Sequence, residues 1–459
     1  MTAPIVCINP NDNNATVICY NDSSSYRPCF VYHSHTGAGA SRKFRWPDVA
    51  NTFGSISYKV NDMMIDGDYC YYCGKKETLT GVEYTTTGQM IPTYTATGFF
   101  GWVSMSQMSS SAITVLDLYL FDLPIDELIR MDGVPVSGSM LLGLISGHTL
   151  ALVKGNGSTW ACHFQDVTSA ERLEDVKMTM NHLVTLSSFA NGPYSFGLRC
   201  ETKADAFRAT TTHTLVNYYD GRKYNTLPMT TASLPNVSPT KHYEHGAMRM
   251  ANHPYSDILT VAYDGYYTDG GDCRHYGLFT PMYLMNFSNC SSGYVSISMD
   301  NAQLITTTLL KPAQYTLLEM CYVATGNTIA LLHGMETEEY GMWSILQSPS
   351  WIATTNLSSL QSDYRALKSM DVGSNGWTYW AGWRMPDKAL LHFRQDGSML
   401  ERTCYSTHPP AAKEVLSLEA EEEIVTASPS IIPVFTLTQT HYQATATTLD
   451  YYPECTTSY

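Results

Sequence analysis

The sequence predicts an all-β fold, a single β-propeller of eight blades with seven as the alternative. Three observations carry that prediction. Residues that favour strands and turns dominate: the 459 residues include 32 tyrosines and 31 glycines, with only 15% charged, against the usual quarter. Short apolar runs bounded by turn signals return along the whole length. Several of them, MLLGLI, TLALV, ILTVAY and TIALL, are continuously apolar rather than alternating. Strands covered on both faces read that way, and radially packed antiparallel blades are covered on both faces.

The runs group into eight candidate blades, near 5–47, 56–121, 127–165, 173–220, 243–310, 315–355, 363–405 and 412–455, within one domain spanning 1–459. In the first, IVCI leads through NPNDNN to TVICY, CFVYHSH and RKFRW. The second opens with Tyr58–Gly74, in which Asp66-Gly67 marks a tight hairpin, since glycine accepts positive φ there. Its continuation from Gly74 to Thr97 is too long for a hairpin turn and reads as a long loop that reaches a partner. Later units repeat the grammar: MLLGLISGHTLALVKGNGSTWACHF, then VKMTMNHLVTLSSF, then ILTVAYDGYYTDGG. The segment Glu414–Ile424 favours helix by propensity. Its alignment with Val176–Thr185 instead predicts two strands joined by an acidic turn at Glu421–Glu423.

A net charge of −15, with 27 basic residues, excludes the electrostatic footprint of a nucleic-acid binder. With no run of about 18 apolar residues, no helical membrane span is expected. The opening MTAPIVC lacks a charged and apolar leader, and reads as either a cytoplasmic start or, in preference, a mature start with its signal removed. A periplasmic, cell-surface or secreted location follows. The 12 cysteines are scattered singly through apolar runs, where a thiol acts as a small hydrophobe; buried thiols are expected over disulfides.

The stretch Asn61-Asp62-Met63-Met64-Ile65-Asp66-Gly67-Asp68-Tyr69-Cys70-Tyr71-Tyr72-Cys73-Gly74 resembles the repeat unit of exported β-propeller proteins of gut Bacteroidales. The spacing departs by one residue near its end. The resemblance implies the fold and a cell-envelope setting. It brings no catalytic residues with it.

Chemistry-bearing motifs are sparse. Cys70-Tyr71-Tyr72-Cys73 matches C-x-x-C, but a strand sends the two sulfurs to opposite faces, unlike the helix terminus that redox pairs use. His33-Ser34-His35 places two imidazoles on one strand face, and His242, His245 and His253 cluster further on; neither group has the carboxylate that completes a metal shell. The loop Asp264 to His275 carries Asp264, Asp269 and Asp272 among glycines. It offers oxygens for Ca²⁺, although a solvated hairpin tip is the expected use, and no cofactor is predicted. Phe44-Arg45-Trp46-Pro47 lacks the turn motifs that a sialidase reading requires. Aromatic residues are the broadest signal, suited to inter-blade packing or to ligand contact. The candidate ligand-binding set is Tyr84, Tyr94, Asp264, Tyr266, Tyr267, Asp269, Asp272, Arg274, His275, Trp383 and Arg384, without a catalytic assignment.

These observations predict a binding or scaffolding protein that recognises a glycan or a protein partner at one face. The alternative is a glycan-active hydrolase or lyase with carboxylates set across the central channel.

Overall fold

The computed structural model describes residues 4–10, 14–22, 27–35, 41–51, 54–157, 159–189, 196–203 and, from residue 211 onward, the strands named below with residues 373–376. Strands follow one another as antiparallel meanders. The first comprises β1 (Ile5–Ile8), β2 (Ala15–Asp22), β3 (Arg27–Ser34) and β4 (Arg42–Arg45). After β5 (Val49–Asn51) come β6 (Gly54–Asp66), β7 (Tyr69–Tyr84), β8 (Met90–Ser104), the short helix α1 (Met105–Ser109) and β9 (Val115–Leu123). The third meander is β10 (Arg130–Val136), β11 (Ser139–Ile145), β12 (Thr149–Asn156) and β13 (Thr159–Asp166). The fourth is β14 (Glu171–Met178), β15 (His182–Phe189), β16 (Phe196–Thr202) and β17 (Thr211–Tyr219).

The fifth contains β18 (His242–Asn252), β19 (Ile258–Asp269), β20 (Asp272–Arg274), β21 (Phe279–Asn289), β22 (Val295–Ser298) and β23 (Gln303–Thr306), with β20 and β22 as side branches. Next are β24 (Tyr315–Val323), β25 (Thr328–Met335), β26 (Gly341–Gln347) and β27 (Ser350–Asn356). A three-stranded sheet follows, of β28 (Arg365–Val372), β29 (Trp377–Arg384) and β30 (Ala389–Asp396).

The remaining strands do not form a sheet of their own. They run back along the chain order as outer partners: β31 (Ser406–His408) beside β27, β32 (Lys413–Glu414) beside β23, and β33 (Glu419–Ala427) beside β17. Then β34 (Ser430–Ile432) lies beside β13, and β35 (Gln439–Thr448) between β4 and β9. The acidic turn expected at Glu421–Glu423 is therefore corrected. These residues sit inside β33, opposite Asn217, Val216 and Leu215. An unpaired strand edge offers a row of backbone donors and acceptors, and that ladder overrides the local preference of an acidic run.

Two compact units divide the chain, Met1–Phe164 with Ile431–Thr456, and Gln165–Ser430 with Thr457–Tyr459. In the first unit the second meander is covered on both faces. One face contributes Tyr58, Cys70, Tyr72, Phe99 and Leu118 to a core shared with Phe30, Phe44 and Trp46. The other contributes Tyr71, Cys73, Phe100 and Phe121 to a core shared with Leu142, Leu144 and Trp160. Each large side chain taken from water contributes roughly 1.5–3 kcal/mol. The run MLLGLI is buried throughout, as its unbroken hydrophobicity implied. Cys70 and Cys73 fall in opposite cores, and burial pushes the Cys70 thiol up to about 12. Burial of both disfavours the thiolate that redox chemistry uses.

First strands of successive meanders pack on one another: β1, β6 and β10 in the first unit, and β14, β18, β24 and β28 in the second. A carboxylate recurs at these junctions. After a bulge at Val60/Asp62, Asp62 accepts bonds from the backbone N–H of Met63 and, across the junction, of Met131 (both 2.9 Å). After the bulge at Leu173/Asp175, Asp175 accepts from Val176 (2.9 Å) and Met250 (2.7 Å). The bulge turns the carboxylate toward the next strand, where it satisfies a buried N–H.

Candidate functional site

The β6–β7 hairpin closes with Asp66 opposite Tyr69, and Gly67 takes the positive φ (57°) of the first turn position. The turn residues are thus Gly67 and Asp68, one place later than the sequence suggested. Strand register then sets a row of side chains across the sheet: Met64, Tyr71, Trp102, Tyr119 and His441, one from each of five neighbouring strands. Trp102 stacks on Tyr119 (4.1 Å between centroids, 20° between planes), and Tyr119 on His441 (5.2 Å, 28°).

One row inward, Cys73, Phe100 and Phe121 are buried against the third meander. Toward the turn end the two sheets part and leave an open cleft of about 200 Å³. Asp66, Tyr69, Tyr71 and Trp102 line one wall. The other comes from the turn after β10, with Pro135, Gly138, Ser139 and Met140, and from Gly155, Asn156, Gly157 and Trp160. Gly155 is required there, since a Cβ would lie 2.3 Å from the carbonyl of Thr159 and 2.6 Å from the Trp160 ring.

The rings of the cleft stand steeply to one another. Tyr69 is at 83° to Trp102 (5.2 Å), Tyr71 at 77° to Trp160 (6.5 Å), and Tyr69 at 51° to Tyr71 (6.2 Å). Tyr69 is 42% exposed. Asp66 is the one charged residue in the lining among the described residues, and partial burial raises its carboxyl above the usual range. Tyr71 is raised as well, by burial first and then by the charges of Asp66 and Tyr69. Two polar groups of the far wall are already committed: Trp160 Nε1 donates to Gly157 O (2.7 Å), and Asn156 Nδ2 to Gly138 O (3.2 Å). The Trp102 indole N–H has no acceptor among the described residues.

Beside the stacked row, His441 Nε2 lies 2.8 Å from Asp117 Oδ1, and Gln107 donates to Asp117 Oδ2 (3.2 Å). The bond from His441, foremost, holds the Asp117 carboxyl below its usual range.

The residues singled out in the sequence fall elsewhere. Tyr84 and Tyr94 belong to long strands, not to a loop: β7 and β8 pair from Tyr69↔Ser104 out to Tyr84↔Met90. Both are exposed, at 70% and 58%. The expected loop over 74–97 is corrected accordingly, since its threonines, valine and tyrosines are strand formers that extend the ladder. Asp264, Tyr266, Tyr267 and Asp269 are positions of β19, and Asp272 and Arg274 of β20, with Asp269 opposite Asp272 and Tyr267 opposite Arg274. Trp383 and Arg384 end β29. The side chains of these eight, and His275 entirely, lie outside the described residues. His33 and His35 share a strand face, 5.5 Å apart. Among the described residues no group of three metal-ligating side chains is present, and no helix is long and apolar enough to cross a membrane.

Sequence reasoning missed Asp66, Tyr69, Tyr71 and Trp160 as a group. The available signal was the pairing of an Asp-Gly turn with the Gly-Asn-Gly turn ahead of Trp160.

No family model and no curated protein matches this chain. Distant likenesses exist to β-propeller domains of solved structures. The N-terminal domain of Nup159 aligns with a TM-score of 0.37 and 10% identity over 85% of this chain and 89% of its own. A prolyl endopeptidase aligns at 0.34 and 9% over 90% of this chain and 49% of its own. Prolyl oligopeptidase B from Galerina marginata aligns at 0.33 and 7%, over 86% of this chain and 50% of its own. This chain spans about half the length of the two peptidases. Scores this low assign neither a blade number nor an activity.

Proposed function

We propose that this chain is an exported binding module built as a β-propeller, and that a glycan or protein partner places a group in the cleft between its second and third meanders. Support for the propeller comes from the repeated meanders, the packing of their first strands and the recurring Asp62 and Asp175 junctions. The observation that carries the binding role is the preformed cleft, lined by four aromatic rings and a carboxylate. Concave, largely apolar sites with a few placed polar groups are where ligands bind. The alternative, a glycan-active hydrolase or lyase, uses a pair of carboxyls about 5–10 Å apart across the central channel; this cleft offers one among the described residues, Asp66.

The test is a screen of the full chain against glycan and peptide arrays, repeated with Trp102→Ala. Binding that falls at least about tenfold in the variant, or about 1.4 kcal/mol, supports the cleft. Undiminished binding to the same ligands moves the site elsewhere, and turnover of an arrayed glycan revives the hydrolase reading.

A further inference from the structure

We infer that the β7–β8 ribbon beyond Thr78 is a self-association arm, and that the outer edge of β7 around Val82 pairs antiparallel with the same edge of a second copy of this chain. The inference is independent of the cleft. Two strands alone are marginally stable in water. Pairing of β6 with β7 ends at Ile56↔Thr78, so among the described residues no third strand reaches Val82 or Tyr84.

Backbone polarity singles out that edge. Thr85 N–H donates to Gln89 O (2.9 Å), and the register continues as Tyr84↔Met90, Glu83↔Ile91 and Val82↔Pro92. Bonded and non-bonded pairs alternate in an antiparallel ladder, so Tyr84, Val82, Met90 and Pro92 turn their backbone groups outward. On the β8 edge Pro92 has no N–H to offer, which guards that edge against pairing. The β7 edge carries neither proline nor lysine between Leu79 and Tyr84, and Val82 and Tyr84 each present a donor and an acceptor there.

The occupant follows from the chemistry of the edge. An extended polypeptide matches its alternating donors and acceptors, and an edge meets its own copy antiparallel across a two-fold axis. With that axis at Val82, the two Val82 residues exchange N–H and C=O, and Glu83 falls opposite Gly81 of the second copy. Glu83 is the one charged residue between Glu77 and Asp117, so two chains of charge −15 meet where like charge is sparsest. Four strands result. Val82, Tyr84, Met90, Pro92 and Tyr94, all exposed in the single chain, then form one apolar face across both ribbons. Each ribbon brings about a dozen residues, against about 20–30 a side in a standard interface, so the dimer is reversible.

The experiment is sedimentation of the full chain from about 1 to 500 μM, with hydrogen exchange read at both ends of that range. A monomer–dimer equilibrium with a dissociation constant of roughly 1–100 μM is expected, tightening as salt screens the repulsion between the two chains. At the high end the Val82 N–H exchanges about threefold or more slowly, while that of Met90, on the guarded edge, is unchanged. Val82→Pro removes a donor that the ribbon itself does not use, and is expected to weaken the dimer at least about tenfold. Tyr84→Lys, which charges the same edge, is expected to do likewise. Should Val82→Pro not fold, exchange in the unaltered chain decides. A chain that stays monomeric throughout, or a dimer in which Val82 N–H gains no protection, overturns the inference. Protection of Val82 that appears only with an added array peptide gives the edge to a foreign strand and overturns it too.

Discussion

The inner and outer halves of β7 and β8 are continuous strands of similar composition with opposite fates. The inner half is flanked on both sides: β6 pairs with β7 as far as Ile56↔Thr78, and β9 pairs with β8 from Gly98↔Leu123 inward. There Tyr72, Phe99 and Phe100 are fully buried, and Tyr71 and Trp102 wall the cleft. Beyond Thr78 neither β6 nor β9 pairs with the ribbon among the described residues. Register puts Val82, Tyr84, Met90, Pro92 and Tyr94 on one face, and Tyr84, Met90 and Tyr94 are exposed at 70%, 62% and 58%. Its tip is closed locally, by Thr85 N–H to Gln89 O and Gln89 N–H to Thr85 Oγ1 (both 2.9 Å). What an aromatic residue does in this chain depends on whether its strand has partners at both edges, more than on the residue itself.

The largest effect expected from that difference is at Tyr72, which packs on Phe30 (5.2 Å), Trp46 (5.7 Å) and Phe99 (6.3 Å) and donates to Tyr119 O (3.2 Å). Tyr72→Ala leaves a cavity and is expected to cost about 3–5 kcal/mol in chemical denaturation. A loss below about 1 kcal/mol would erase the contrast between the two halves. Asp62→Ala ranks next. It leaves the N–H groups of Met63 and Met131 without their acceptor, at about 2–3 kcal/mol. The loss should appear as early hydrogen exchange at Met131.

Most of the strand grammar was readable from the sequence, and for physical reasons. MLLGLI announces a strand covered on both sides because such a strand has no solvent face to make polar. Asp-Gly announces a turn because glycine accepts positive φ. The cleft was not readable, because it depends on register and on the packing of two meanders: Tyr71 and Trp102 meet through the pairing of β7 with β8, and Trp160 reaches them from β13. The backward run of the last strands hid the role of Glu421–Glu423, whose partners in β17 lie some two hundred positions earlier. The ribbon was mistaken for a loop because its length suited a loop, while its composition already suited strands.

A smaller, pH-dependent effect is expected at Asp66. Its folded-state pKa is raised by burial, so ionisation is disfavoured in the native state. Its contribution to stability is greatest below the ordinary carboxylate pKa of about 4 and is lost as pH rises through the raised value. Asp66→Asn should therefore raise the Tm at neutral pH, and the gain should vanish in acid. A gain that is constant with pH would mean that burial of the charge is not the cause. Smallest of all is Tyr84→Ser on the free ribbon, expected to change stability by no more than about 0.5 kcal/mol. A larger loss would show that the outer half is supported after all.

A crystal of the full chain soaked with the tightest-binding array ligand tests the central claim most directly. The account predicts the ligand in the cleft, against Trp102 and Asp66. Density for it on the Tyr84–Tyr94 face, with the cleft left to water, would contradict it.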